Sequence, residues 1–372
     1  MHHTEPSVGS TVIHLSDQGA PPMSLSSLPI LDLSQADDPE RADEFRRQLR
    51  DVTHSVGFFY LTGHGIPASD FSELLETAQR FFALPEEDKL SIENTNSPHF
   101  RGYTRVGGER TLGNVDWREQ IDIGPHREPV AQPLHTYDRL TGPNQYPEAL
   151  PELKTVTDSW HEKLTAVGER LLSEWALSLG QPADIFAQAF AHDPESFIKI
   201  IRYPAPTVTS VDDSSEETAE ITQGVGEHRD SGVLTLLYPQ PGTTGLQVNY
   251  QDTWIDVEPI ENTFVVNIGK LLEVATGGYL RATIHRVLPT APGQDRISVP
   301  FFYNPSLRAS LPELTLPEEL AAHARGVSAD ERDALYAVYG ENALESRLRS
   351  HPNVAEIHHA DLLKTPARTH AS

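Results

Sequence analysis

The hydrophobic pattern changes abruptly at Phe197, and this change limits the possible folds more than any other feature of the chain. From there to Tyr303, short β-branched and aromatic runs recur at 197–203, 232–238, 245–250, 253–257, 263–268, 283–288 and 297–303, separated by Gly, Pro, Asn and Asp turns. Many short strands at near-even spacing predict a sandwich or barrel. Before this region the periodicity is mostly helical. Ala42, Phe45, Leu49, Val52 and Val56 follow one another at helical spacing up to Gly57, and helices are predicted at 71–84 and 153–179. Short strands are expected at 28–33 and 58–61, and residues 97–127 read as loop with short strands. Helical pattern returns at 317–325 and 329–348. The expected class is therefore mainly β with flanking α. Its organisation is a flexible N-terminal tail at 1–27, one domain at 28–353 and a flexible tail at 354–372. Within the domain, 28–196 is a mixed α/β region, 197–305 the β core and 306–353 the C-terminal helices. Residues 211–220 read as an acidic, Ser-rich loop inserted in the core.

Composition narrows the function. The chain has 372 residues and a formal net charge of −25, so phosphate backbones and anionic lipid are poor partners. It contains no cysteine, which excludes disulfides, zinc fingers, iron–sulfur ligation and thiol catalysis together. No apolar run approaches the ~20 residues of a membrane span, and the first residues lack a signal-peptide profile, so a cytoplasmic protein is expected.

Without cysteine, chemistry must rest on His and carboxylates. His-x-Asp occurs twice, at His228-Arg229-Asp230 and His359-Ala360-Asp361. Residues two apart on an extended strand share a face, so His-x-Asp at a strand start aims one imidazole and one carboxylate at one point. A second imidazole would complete a facial triad, which leaves octahedral iron three open positions for a bidentate co-substrate and O2. His228 and Asp230 lead directly into a strand, and a later strand carries His285. Arg296 and Ser298 open the next strand. Their guanidinium fork and hydroxyl suit the far carboxylate of a bidentate keto acid. The pair at His359 falls in a polar tail and is set aside. His-Arg-Asp also occurs in kinase catalytic loops, but the glycine-rich loop, the V-A-I-K lysine and D-F-G are absent. The G-x-S-x-G elbow of a serine hydrolase is absent too.

These residues, with others, resemble the isopenicillin N synthase-like family of Fe(II)/2-oxoglutarate-dependent dioxygenases over roughly 28–352. The resemblance rests on Gly57-Phe58-Phe59-Tyr60-Leu61-Thr62-Gly63-His64-Gly65-Ile66, on Arg101-Gly102-Tyr103, and on Asp116-Trp117-Arg118-Glu119. It continues through His228-x-Asp230, Gly245-Leu246-Gln247-Val248, Asn267-Ile268-Gly269, His285-Arg286-Val287 and Arg296-x-Ser298, in matching order and spacing. It implies a double-stranded β-helix (jelly-roll) core, with Fe(II) held by His228, Asp230 and His285. It also implies that Arg296 and Ser298 bind the distal carboxylate of 2-oxoglutarate. Tyr203 falls where the family often has a tyrosine on that co-substrate; a packed strand-end aromatic is the equal alternative. The implied reaction consumes 2-oxoglutarate and O2, releases succinate and CO2, and oxidises a C–H bond of a small metabolite by hydroxylation or desaturation. The implied setting is secondary metabolism.

Two positions depart from the family pattern: Ile201 stands where many members have Asn, and Lys270 where they have Asp. The Ile-Arg-Tyr-Pro block resembles isopenicillin N synthase itself, which uses no 2-oxoglutarate and holds its substrate's carboxylate with the same Arg-x-Ser pair. An iron oxidase or cyclase of that kind, and a non-catalytic jelly-roll binding protein, are the two alternatives. For the substrate, Arg101, Arg105 and Arg110 suggest a pocket for an anion, or else pairing with nearby acids. Tyr103, Trp117, Phe301 and Tyr303 are the aromatic pocket candidates, with Phe81 and Phe82; core packing is the alternative.

Overall fold

The computed structural model describes residue 25 and residues 27–206, 222–328 and 335–363. The expected N-terminal tail (apart from residues 25 and 27), the acidic insertion at 211–220, residues 329–334 of the expected helix at 329–348, and residues 364–372 lie outside the described residues.

The N-terminal region begins with β1 (Ile30–Asp32), α1 (Ala42–Ser55), β2 (Phe58–Thr62), α2 (Ala68–Phe82) and α3 (Glu86–Leu90). In α1, Ala42, Phe45, Leu49 and Val52 form the buried stripe, while Asp43 and Glu44 occupy the first turn, where the helix dipole favours negative charge. The chain leaves α1 through Gly57 at φ +78°, where a Cβ would lie 2.3 Å from the Arg281 carbonyl, so only glycine fits. There follow β3 (Gly102–Thr104), a hairpin of β4 (Arg110–Thr111) and β5 (Asn114–Val115), β6 (Glu119–Ile123), the long α4 (Glu152–Ser178) and α5 (Ala187–Phe190).

From β7 the chain is mostly strand: β7 (Phe197–Tyr203), β8 (Val225–His228), β9 (Leu234–Pro239), β10 (Leu246–Tyr250), β11 (Thr253–Asp256), β12 (Phe264–Ile268), β13 (His285–Val287) and β14 (Arg296–Tyr303). The short α6 (Lys270–Ala275) interrupts this run. The chain ends in α7 (Glu318–Ala321), α8 (Tyr339–Ser350), α9 (Pro352–His358) and α10 (Ala360–Leu363).

The strands form an eight-stranded sheet, ordered β1-β2-β12-β9-β14-β7-β6-β3, and a four-stranded sheet, ordered β11-β10-β13-β8. Together they make the expected jelly-roll core, and apolar residues of both sheets join one buried cluster. The large sheet extends beyond the core. It recruits β1 and β2 at one edge and β6 and β3 at the other, so the N-terminal region is continuous with the core through backbone pairing. Alternation along β14 divides its side chains between two environments. Ile297, Val299, Phe301 and Tyr303 are buried on the helix side, where α4 packs. Arg296, Ser298, Pro300 and Phe302 line a cavity on the opposite face.

Three sequence expectations change. Of the helix expected at 329–348, the described part begins only at Tyr339, in α8. The helix expected at 317–325 shrinks to α7. The tail expected from 354 is packed as far as Leu362. Val354 and Ala355 are fully buried, His359 stacks on Phe100 with ring centroids 5.0 Å apart, and Asp361 pairs with Arg139 at 2.7 Å. The polar composition of this segment hides a few deep anchors that show no periodicity.

Candidate metal centre

β8 is an edge strand of the smaller sheet, and His228 is its last residue. His285 opens β13 and pairs opposite His228, so the two imidazoles stand side by side with centroids 4.2 Å apart. Asp230 follows two residues after His228. Its Oδ1 lies 3.7 Å from His228 Nε2 and 3.8 Å from His285 Nε2. Each residue thus offers a ligand atom, all within 4.8 Å of one another.

The unused atoms of the three side chains are already engaged. His228 Nδ1 is 2.8 Å from the Gly226 carbonyl and His285 Nδ1 is 3.1 Å from the Thr283 carbonyl. An N–H donated there leaves both Nε2 lone pairs facing Asp230. Asp230 Oδ2 accepts from Thr235 Oγ1 at 2.5 Å and Asn267 Nδ2 at 2.8 Å, leaving Oδ1 open. The backbone is held as well. Lys270 N donates to Asp230 O at 2.8 Å and Gly269 N to Val233 O at 2.9 Å. A Cβ at Gly269 would come 2.1 Å from the Gly232 carbonyl, so the Asn267-Ile268-Gly269 segment needs glycine for this close approach.

Burial, with the neighbouring His228, pushes His285 down to about 4. Burial pushes Asp230 up, but the two imidazoles and the bonds from Thr235 and Asn267 outweigh it and hold the carboxyl below its ordinary value. A neutral imidazole and an ionised carboxylate are the forms that bind metal. Two imidazoles and one carboxylate on one face are the donor set of a non-haem Fe(II) site.

The triad opens on a cavity of about 640 Å³ between the sheets. On its wall, β14 presents Arg296 and Ser298, and β7 presents Tyr203 directly opposite Arg296. The Arg296 guanidinium lies over the Tyr203 ring, 4.8 Å from its centroid. Arg296 is only 2% exposed, yet Nε and Nη1 have no partner, and burial lowers its pKa. Two orphaned donors on a buried cation match the bidentate geometry of a carboxylate.

The six side chains proposed from the sequence for the substrate pocket all lie elsewhere. Arg101 is buried against Glu195 at 2.5 Å, and Tyr103 donates its hydroxyl to Glu119 at 2.5 Å. Arg105 is exposed and paired with Glu93 at 2.5 Å. Trp117 is half-buried off the cavity wall. Phe301 packs edge-on against His161, and Tyr303 stacks on Phe190. Phe81 and Phe82 pack in the core. The error at Phe301 and Tyr303 is one of parity. Counting by two from Arg296 and Ser298 leads to Pro300 and Phe302, and counting back from Tyr203 leads to Ile201, Lys199 and Phe197; all five line the cavity. Arg110, on the β4–β5 hairpin, does reach the wall, as do Arg118 from the segment after that hairpin and Arg347 from α8. The second His-x-Asp pair is structural: His359 Nε2 is 2.8 Å from the Pro98 carbonyl.

Residues 28–149 match the family model described as "non-haem dioxygenase in morphine synthesis N-terminal", and residues 196–305 match "2OG-Fe(II) oxygenase superfamily". The chain is 36% identical to a 2-oxoglutarate-dependent dioxygenase, frbJ, of Dothideomycetidae sp. (strain 11243), over 90% of this chain and 92% of that one. It is 33% identical to a homoarginine-6-hydroxylase of Oryza sativa subsp. japonica, over 87% and 97% of the two chains. Among solved structures, JOX2 in complex with 2OG, Fe and JA is similar, with TM-score 0.65, 25% identity and 91% of each chain covered. A full-length Neurospora crassa protein bound to alpha-KG and thymine shares the fold, with TM-score 0.66, 23% identity, and 90% and 98% of the two chains covered.

Proposed function

The chain belongs to the 2OG-Fe(II) oxygenase superfamily, and on that premise we propose the roles of its residues in oxidising a C–H bond. It is an oxidoreductase that uses Fe(II), 2-oxoglutarate and O2 and acts on a small molecule. His228 Nε2, His285 Nε2 and Asp230 Oδ1 hold the iron. The Arg296 fork and the Ser298 hydroxyl hold the distal carboxylate of 2-oxoglutarate, and Tyr203 braces the guanidinium from the opposite strand. When bound, iron and 2-oxoglutarate would supply the oxidising power, with O2 consumed and succinate and CO2 released. The chain contributes geometry. The carbonyl-tied imidazoles and the doubly anchored carboxylate keep three ligands on one face and leave the other face for co-substrate and O2. Apolar side chains beside the triad, Phe58 and Phe302 among them, exclude water and hold the substrate near the metal.

The observation that carries this reading is the buried, half-unpartnered Arg296 on the wall of the cavity into which the triad opens. Anaerobic addition of Fe(II) and then 2-oxoglutarate to the metal-free protein should give a weak visible charge-transfer band. Arg296→Ala should lose it at the same co-substrate concentration while still binding iron. Iron binding without a band in the parent protein would favour an oxidase that holds its substrate's own carboxylate at Arg296. Failure to bind iron would favour a non-catalytic binding protein. An anionic substrate, a cytoplasmic setting and a place in secondary metabolism are parts of the same proposal. A cysteine-free chain is compatible with a reducing compartment, and among the described residues no helix is long and apolar enough to cross a membrane.

A further inference from the structure

Resting on the reading above, we infer that the substrate is an organic oxyanion whose head group is held by Arg118 and Arg110, and that a guanidinium head is rejected at that end of the cavity. The wall of the cavity is cationic in a chain of net charge −25. Leaving aside Asp230 and Arg296, which serve the metal and co-substrate, one acid lines it, Glu109, against six basic residues among those described. That acid is already occupied. Its Oε1 is 2.8 Å from Lys199 Nζ and its Oε2 is 3.1 Å from Arg118 Nη2. Asp116 and Asp122, which balance Arg118, Lys199 and Arg347, are almost wholly buried and do not line the cavity. A cationic ligand would therefore meet cations and find no free carboxylate.

Arg118 supplies the independent sign of a missing acceptor. Its side chain is 9% exposed and lines the cavity, yet Nε has no partner. A buried guanidinium N–H left unpaired is costly, and an oxyanion reaching it would satisfy both hydrogen bond and charge. Arg110 stands at the mouth on the β4–β5 hairpin, exposed, with a hydrogen bond of 3.1 Å to the Gly113 carbonyl. Phe197 and Phe302 stack at 4.7 Å on the same wall and offer an apolar surface to the body of the ligand.

The test uses one body with four heads: 3-phenylpropionate, 2-phenylethyl phosphate, 3-phenylpropionamide and 2-phenylethylguanidinium. Each is titrated anaerobically into the Fe(II)–2-oxoglutarate complex, and both the visible band and tryptophan fluorescence are read. The acid or the phosphate should perturb the persisting band saturably. The amide should bind at least about tenfold more weakly, and the guanidinium should not compete. Whichever of the two anions binds more tightly identifies the head group. Arg110→Ala and Arg118→Lys should each weaken the anion about tenfold and leave the 2-oxoglutarate band in place, which also reports that the variants are folded. Tighter binding of the guanidinium, no saturation by either anion, or anion binding indifferent to both substitutions would overturn the assignment. Loss of the reading beneath it looks different: no band forms with 2-oxoglutarate at all, and the fluorescence titrations still rank the heads.

Discussion

At the metal centre each side chain has one atom for the metal and one for the protein. Asp230 shows why the second matters. With Oδ2 held by Thr235 and Asn267, the carboxylate presents a single oxygen beside two imidazole nitrogens. Removing both anchors would free the carboxylate to rotate or to chelate through both oxygens, closing a position that the co-substrate and O2 require. Asn267→Ala combined with Thr235→Val should therefore weaken Fe(II) binding on the order of 10- to 100-fold, measured by anaerobic titration. The two substitutions should lower turnover further than iron saturation can restore. Full recovery of turnover at saturating iron would mean that the anchors set affinity alone. Lys270, the cation where the resembled family has Asp, contributes through its backbone: its N–H holds the Asp230 carbonyl from the start of α6.

At the scale of the element, β14 carries opposite demands on its two faces. Phe301 is fully buried on the helix side, while Phe302 is half-buried on the cavity side and stacks on Phe197 at 4.7 Å. Adjacent substitutions should therefore have separable effects. Phe301→Ala should cost about 3–5 kcal/mol of stability in denaturant unfolding, since it leaves a void in close packing. Phe302→Ala should cost less than half as much and change substrate coupling, read as succinate formed per substrate consumed. Equal destabilisation by the two would contradict the division of faces. The alternation that places Arg296 and Ser298 together was legible in the sequence. The same count excludes Phe301 and Tyr303 from the pocket, because residues an odd number apart on a strand cannot share a face.

Across the whole molecule, histidine burial links stability to pH. Burial lowers His54, His64, His99, His161 and His359, and it pushes His351, wholly buried beneath the cavity wall near Glu109, down to about 4. Below the ordinary histidine value of about 6.5 the unfolded chain binds protons that the folded chain refuses, so stability falls as pH drops from there toward 4. His351 alone is worth roughly 3 kcal/mol over that window. Thermal unfolding measured from pH 7.5 to 4.5 should show a midpoint that declines steadily below about 6.5, with a shallower decline in His351→Gln. A flat profile would show that these imidazoles are protonated in the fold or reach solvent. His351 closes α8, whose Arg347 and Ser346 line the cavity, so acid strain enters the molecule beside the site.

The strand pattern, the His-x-Asp pair with its distant His285, and the Arg296–Ser298 pair are local or period-two features. A linear sequence carries them directly, and it therefore determined a sandwich or barrel, a candidate metal triad and a candidate co-substrate wall as expectations, the jelly roll being what the family resemblance implied. Only the tertiary structure decided which charges meet. Arg101 finds Glu195 from a distant part of the chain, Arg347 on α8 reaches Asp122 on β6, and Lys199 reaches Glu109 across the β4–β7 gap. These pairings are settled by sheet order and helix docking, which bring together residues far apart in sequence and leave no periodic trace in it. The substrate end of the cavity is built from such meetings, so the chemistry of the metal was readable along the chain, whereas the charge offered to the substrate emerged only in the fold.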